Sequence, residues 1–301
     1  MNNYKNYINN TDMRVADLAT EIGDYECAVS IYRKAIYRLS KYNGDSLYEL
    51  HLMETFMKKI DQLENKLASS KSILKYDTWR LSKSAFVKGI QCHKYLYLDK
   101  FKKNEQTPVS KEKQDLFDKG RDFEADFRKI AFPDGINIKD KVAHYAYFNS
   151  YTKYLLDTLP QAILYEATII EDEVMVMCDV LVKKEDGMID IYEVKLNKEP
   201  NEAIYYDIFL QYYICEKRFG DRLRSFNLIL SSGDDNGWKM DECKESAKDM
   251  ISITADLVNE LKKVIENSEP ERNMGPQCRQ PYECSFIDYC CRLYEINNPI
   301  F

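Results

Sequence analysis

The chain has 301 residues, 45% of them hydrophobic, nine cysteines and a formal net charge of −7. That length and apolar share allow one large core, or a large and a small one, while the mild acidity argues against unspecific wrapping of duplex DNA by the whole surface. No apolar run approaches the roughly 18 residues of a membrane span and residues 1–10 are polar, so a cytoplasmic protein with no membrane partner is expected; an odd cysteine count speaks against a secreted disulfide framework.

Residues 13–39 read as an α-hairpin broken at IGDYE. Within it, GDYECAVSIYRKAI (23–36) places Ala28, Tyr32 and Ala35 at helix-packing spacing and resembles the second half of one tetratricopeptide unit. A third helix over about 46–68, carrying Leu47, Leu50, Phe56, Ile60, Leu63 and Leu67, closes an all-α bundle. The bundle is either a helical cap or a docking module for a protein partner, and nothing in it suggests catalysis. The small polar run 68–72 reads as a linker, which divides the chain into domains 1–72 and 73–301.

The second domain opens with WRLSKSAFVKGIQCHKYLYLDKF (79–101), read as one helix capped by Ser82 with Phe86, Ile90 and Leu96 on its apolar side. Lys83, Lys88, His93, Lys94 and Lys100 are interleaved there with Tyr95 and Tyr97, a pattern that suits single-stranded nucleic acid, although a solvated amphipathic face is the commoner reading. A helix over 112–130 buries Phe117, Phe123 and Phe127, with Glu124 beside that stripe. Residues 141–170 suggest strands.

CDVLVKKEDGMIDIYEVK (178–195) has the alternation of a β-hairpin. A two-residue turn at Asp186-Gly187 would send Asp179 and Glu193 to opposite faces. A three-residue loop, Glu185-Asp186-Gly187 with Gly187 left-handed, sets Asp179 across from Glu193 instead. Two such carboxylates with Lys195 on the same face can hold a divalent cation and orient a water; the plainer alternative is a strand-end acid and a solvated face. A helix over 202–220 then carries Gln211, Tyr212 and Tyr213, for nucleic acid or for packing, and ends at Gly220. A strand over 223–230 follows, which implies a mixed α/β sheet with a crossover, and a long helix over 241–267 comes next.

In the tail, GPQCRQPYECSFIDYCC, Cys278, Cys284 and Cys290 recur with five residues between them, leaving Cys291 spare. Three thiolates leave a four-coordinate site one ligand short, and Cys92 is the candidate fourth. Spacing alone does not separate zinc from an iron-sulfur cluster.

Taken together, residues 79–291 resemble the RecB-type exonucleases of the PD-(D/E)XK superfamily, in particular their iron-sulfur branch with the CRISPR-associated nucleases. LSKSAFVKGIQCHKYLYLDK and PYECSFIDYC carry that likeness, with Glu124 in GRDFE, Asp179 in CDVLV, and Glu193 and Lys195 in EVK. The resemblance implies a restriction-endonuclease-like mixed sheet flanked by helices. It also implies a 4Fe-4S cluster on Cys92, Cys278, Cys284 and Cys290, and Mg2+ or Mn2+ on Glu124, Asp179 and Glu193, with Lys195 completing the catalytic set. The implied activity is metal-dependent hydrolysis of single-stranded or free-ended DNA, with Lys83, Lys88, Lys94, Gln211 and Tyr212 as candidate DNA contacts. Cys215 stands where the family's Q-x-x-x-Y signature, read from Gln211, has tyrosine. A nucleic-acid-binding scaffold or assembly factor is the alternative of a different class, and a redox sensor a third.

Overall fold

A computed structural model describes residues 2–41, 47–232 and 237–296, with side chains from residue 11 onward. It divides into two compact units, residues 1–78 with 136–160, and residues 79–135 with 161–301. In the first unit, α1 (Asn2–Glu21), α2 (Tyr25–Lys41) and α3 (Leu47–Glu64) form the expected bundle. Ala28 and Ala35 are buried, and Tyr32 fills the space between helices, its ring 5.5 Å from Phe56 and its hydroxyl donating to Asp17 at 2.7 Å. Leu52, Phe56, Ile60 and Leu63 bury one face of α3, whereas Leu47 and Leu50, expected inside, are exposed. Ser46, the start expected for this helix, lies outside the described residues. The expected linker is tied down: Asp24, in the α1–α2 turn, accepts the backbone N–H groups of Ile73 (2.9 Å) and Leu74 (2.7 Å), and Ser70 accepts that of Glu26.

In the second unit, β1 (Leu81–Ser82) leads into α4 (Lys83–Gln91), where Ser82 caps the helix by accepting the Ala85 N–H. The single helix expected over 79–101 is broken. Cys92 is extended (φ −166°, ψ 121°) and separates α4 from α5 (His93–Phe101). Next comes α6 (Lys111–Ala131), capped by Ser110. It buries Phe127 and half-buries Phe123, but leaves Phe117 exposed.

Residues 136–160 belong with the first unit, held there by the hydrogen bond from Lys75 N–H to Ser150. They contain β2 (Ile136–Asn137), α7 (Ile138–Lys141) and α8 (Phe148–Thr158), so most of the stretch expected as strand up to residue 158 is helical. The buried residues Phe148, Tyr151, Thr152 and Leu155 show why: their spacing is that of a helix face.

Strands β3 (Ala162–Glu171), β4 (Val174–Lys183), β5 (Ile189–Lys195), β6 (Leu223–Ser231) and β7 (Trp238–Glu242) line up in that order, with β1 added in parallel on β4. Neighbours are antiparallel except β5 and β6, which run parallel because α9 (Glu202–Phe219) crosses between them. The chain is thus α/β, with a mixed sheet flanked by helices. Val194 packs with Phe127 of α6, while its neighbour Glu193 points the other way, toward α4 and α9, so helices cover both faces. The long helix expected over 241–267 is shorter and split: Asp241 and Glu242 pair in β7, and α10 (Lys244–Asp249) and α11 (Ile251–Val264) meet at Met250.

Candidate active site and cysteine cluster

The β4–β5 hairpin has the odd-length loop. Lys183 pairs with Ile189, Lys184 N–H donates to Met188 O, and 185–187 form the loop with Gly187 at φ +83°. Continued by one pair, that register would set Asp179 across from Glu193. The β4–β5 ladder ends one pair earlier, at Val180 and Tyr192, beyond which the strands part. The Val194 N–H, released from the ladder, is taken up by Asp179 Oδ2 at 2.7 Å. This fork, where a carboxylate replaces a ladder carbonyl, builds the site.

On one side of the fork Glu193 is only 1% exposed. Its Oε1 accepts from Lys195 at 2.6 Å and from Lys83 at 2.7 Å. Both ammonium groups also meet Asp207 Oδ2 of α9, Lys195 at 2.7 Å and Lys83 at 3.6 Å, and Lys83 donates further to Gln211 Oε1 at 2.7 Å. Burial alone would raise Glu193, but the charges of Lys195 and Lys83 outweigh it and hold the carboxyl at about 2. Burial likewise works against charge on Lys195 and Lys83, yet Asp207 and then Glu193 keep both ammonium groups above the usual lysine range. Asp179 goes the other way, raised well above an ordinary aspartate by burial and by the charges of Glu193 and Glu124.

Glu124 reaches this neighbourhood from α6, paired with Arg128, which also bonds Glu166 at 3.2 Å. Thus Glu124 and Glu193 each come close enough to Asp179 to repel its charge. Among the described residues, however, no group of three or more His, Cys, Asp and Glu side chains is arranged to hold a metal ion as it stands. The donor chemistry nonetheless suits a hard divalent cation: the nearby oxygens are carboxylate, and Glu193 Oε2 is buried with no hydrogen-bond partner among the described residues. A cation would relieve both the orphaned oxygen and the repulsion at Asp179.

The cysteines also gather. Cys92, Cys278, Cys284 and Cys290 line one small cavity of about 20 Å3, and all are free thiols. Burial, followed by the proximity of the other three, pushes Cys284 up to about 12, and burial with Cys278 and Cys92 nearby raises Cys290 to about 11. The break at Cys92 and the turn Pro276–Cys278 are held together by Gln91, whose amide donates to Gln277 O and Tyr282 O, each at 2.7 Å. Four thiols around one space are a donor set that fits an iron-sulfur cluster or zinc. Cys291 stands apart, its thiol near the Met274 sulfur.

The chain matches no protein-family model and no curated protein. Several residues expected to touch nucleic acid are engaged internally. Lys88 pairs with Asp99 at 2.6 Å, and buried Lys94 pairs with Glu269 at 2.9 Å. Gln211 is fully buried, and Tyr212 is a core residue set edge-on to Phe226. Lys83 belongs to the carboxylate network described above. Asp207, four residues before Gln211 on the same helix face, is the site residue that the sequence does not single out, since any helix acid could have that spacing.

Proposed function

We infer that the chain is a metal-dependent nuclease hydrolysing phosphodiester bonds in DNA, of the RecB-like iron-sulfur kind, acting on single-stranded or free-ended substrates. The observation that carries this reading is the fork, where a buried, ionised Glu193 and a charge-crowded Asp179, bonded to the next residue's N–H, meet beside the Lys195 ammonium.

Glu124, Asp179 and Glu193 would hold one or two Mg2+ or Mn2+ ions. When bound, such an ion supplies a water of lowered pKa and a counter-charge for the phosphate. Asp179 is fixed in orientation by its bond to Val194 N–H, which commits one oxygen and leaves the other to the site. Glu193, with Oε1 saturated by lysines, offers Oε2. Lys195, held as an ammonium by Glu193 and Asp207, neutralises charge growing on the phosphate oxygens and orients the attacking water. Cys92, Cys278, Cys284 and Cys290 would hold a 4Fe-4S cluster, which supplies a cross-link between the α4–α5 break and the tail.

The test is degradation of end-labelled single-stranded DNA with Mn2+, with and without EDTA. Chelator-sensitive cleavage is expected, and cleavage indifferent to EDTA would contradict the metal mechanism. DNA binding without cleavage would favour the scaffold reading, to which the self-neutralised network of Lys83, Glu193, Lys195 and Asp207 lends some support.

A further inference from the structure

The four charged groups at the fork do not share their hydrogen bonds evenly, and the inequality assigns roles. An ammonium group has three N–H donors. Lys83 spends them on Glu193 Oε1 (2.7 Å), Gln211 Oε1 (2.7 Å) and Met177 O (3.4 Å), with Asp207 Oδ2 at 3.6 Å. Lys195 has two close partners among the described residues, Glu193 Oε1 (2.6 Å) and Asp207 Oδ2 (2.7 Å), which leaves one N–H for a ligand. Its side chain is also the more open, 26% exposed against 18%.

Two ammonium groups on a single carboxylate oxygen would repel each other, and the second carboxylate removes that conflict. Asp207 Oδ2 closes a ring in which cation and anion alternate: Lys83, Glu193, Lys195, Asp207. Because both lysines converge on Oε1 of Glu193, its other oxygen, Oε2, is left buried without a hydrogen-bond partner among the described residues.

We propose that Lys83 and Asp207 are positioning residues of this site: Lys83 locks Glu193 so that Oε2 alone faces the ligand, and Asp207 holds Lys195 with one donor free. Lys83 is then no contact for a nucleic-acid phosphate, although it lies in the lysine- and tyrosine-bearing stretch 79–101. The inference deepens the nuclease reading and rests on it for the identity of the ligand, a divalent cation beside a phosphodiester.

The experiment compares wild type with Lys83→Met, Lys83→Arg, Asp207→Asn and Asp179→Ala by steady-state cleavage of single-stranded DNA in Mn2+. Mn2+ affinity is measured separately by calorimetry without DNA. Lys83→Met and Asp207→Asn are expected to lose about 10- to 100-fold in kcat with KM within about twofold, as removal of a group supporting a metal ligand does. Lys83→Met should also weaken Mn2+ binding by about tenfold or more, with Lys83→Arg recovering part of both losses. A raised KM with unchanged kcat would make Lys83 a phosphate contact and overturn the proposal, as would unchanged kinetics. Should Lys83→Met fail to fold, Lys83→Arg and Asp207→Asn carry the same comparison. If neither wild type nor Asp179→Ala cleaves, the nuclease reading fails by itself; equal Mn2+ affinity in wild type and Lys83→Met, or no Mn2+ binding by wild type, overturns the positioning role.

Discussion

Asp179 and Glu193 are both buried carboxylates, yet their partners give them opposite energetic signs. Glu193 is held by two ammonium groups, so Glu193→Ala leaves those cations against Asp207 alone and should destabilise the fold by about 3–5 kcal/mol in urea unfolding. Asp179 is crowded by Glu193 and Glu124; Asp179→Asn keeps an acceptor for the Val194 N–H while removing a charge. It should raise stability by about 1 kcal/mol while abolishing cleavage, the trade expected where a site stores repulsion. Glu193 and Lys195 are legible in the sequence because they sit two apart on a strand, and Asp179 because its register follows from a short loop. Lys83 and Asp207 are not, because their roles arise only when α4 and α9 pack on the same face of β5, and lysines among tyrosines on a helix look alike whether solvated or paired.

At the level of elements, the hairpin loop decides the site. Gly187 has open space where a methyl group would stand but a positive φ, so Gly187→Ala should cost about 1 kcal/mol in urea unfolding through backbone strain alone. The hairpin and the crossover are readable because alternation, a glycine turn and a glycine C-cap are local signals. The breaks at Cys92 and Met250 carry neither glycine nor proline, so no local signal marks them. Similarly, α8 reads as strand because its aromatic and apolar residues are common to both states. The tail has its own anchor in Glu269, which binds Lys94 and Lys102, each at 2.9 Å. Burial would raise Glu269, but hydrogen bonds from Lys102 and Lys94 outweigh it and lower its carboxyl below the usual 4.5. A lowered carboxyl stabilises the fold fully above its unfolded value and loses that contribution as pH falls through its folded value. The thermal midpoint of Glu269→Gln should therefore lie below wild type near neutrality, and the gap should close as pH drops below about 4.5.

At the scale of the molecule, the proposed catalytic fork shares its unit with a tail drawn back to Cys92 by four convergent thiols. Anaerobically purified protein should be brown and contain iron and sulfide, and Cys92→Ser should lose both together with thermal stability. A colourless protein with one zinc per chain would refute the cluster while leaving the fork in place. The central claim is the chemistry of the fork itself. Its most direct measurement is the rate at which wild type and Asp179→Asn, matched by circular dichroism, degrade end-labelled single-stranded DNA in Mn2+. Chelator-sensitive cleavage by wild type and none by Asp179→Asn is the predicted result; equal rates from the two proteins would contradict it.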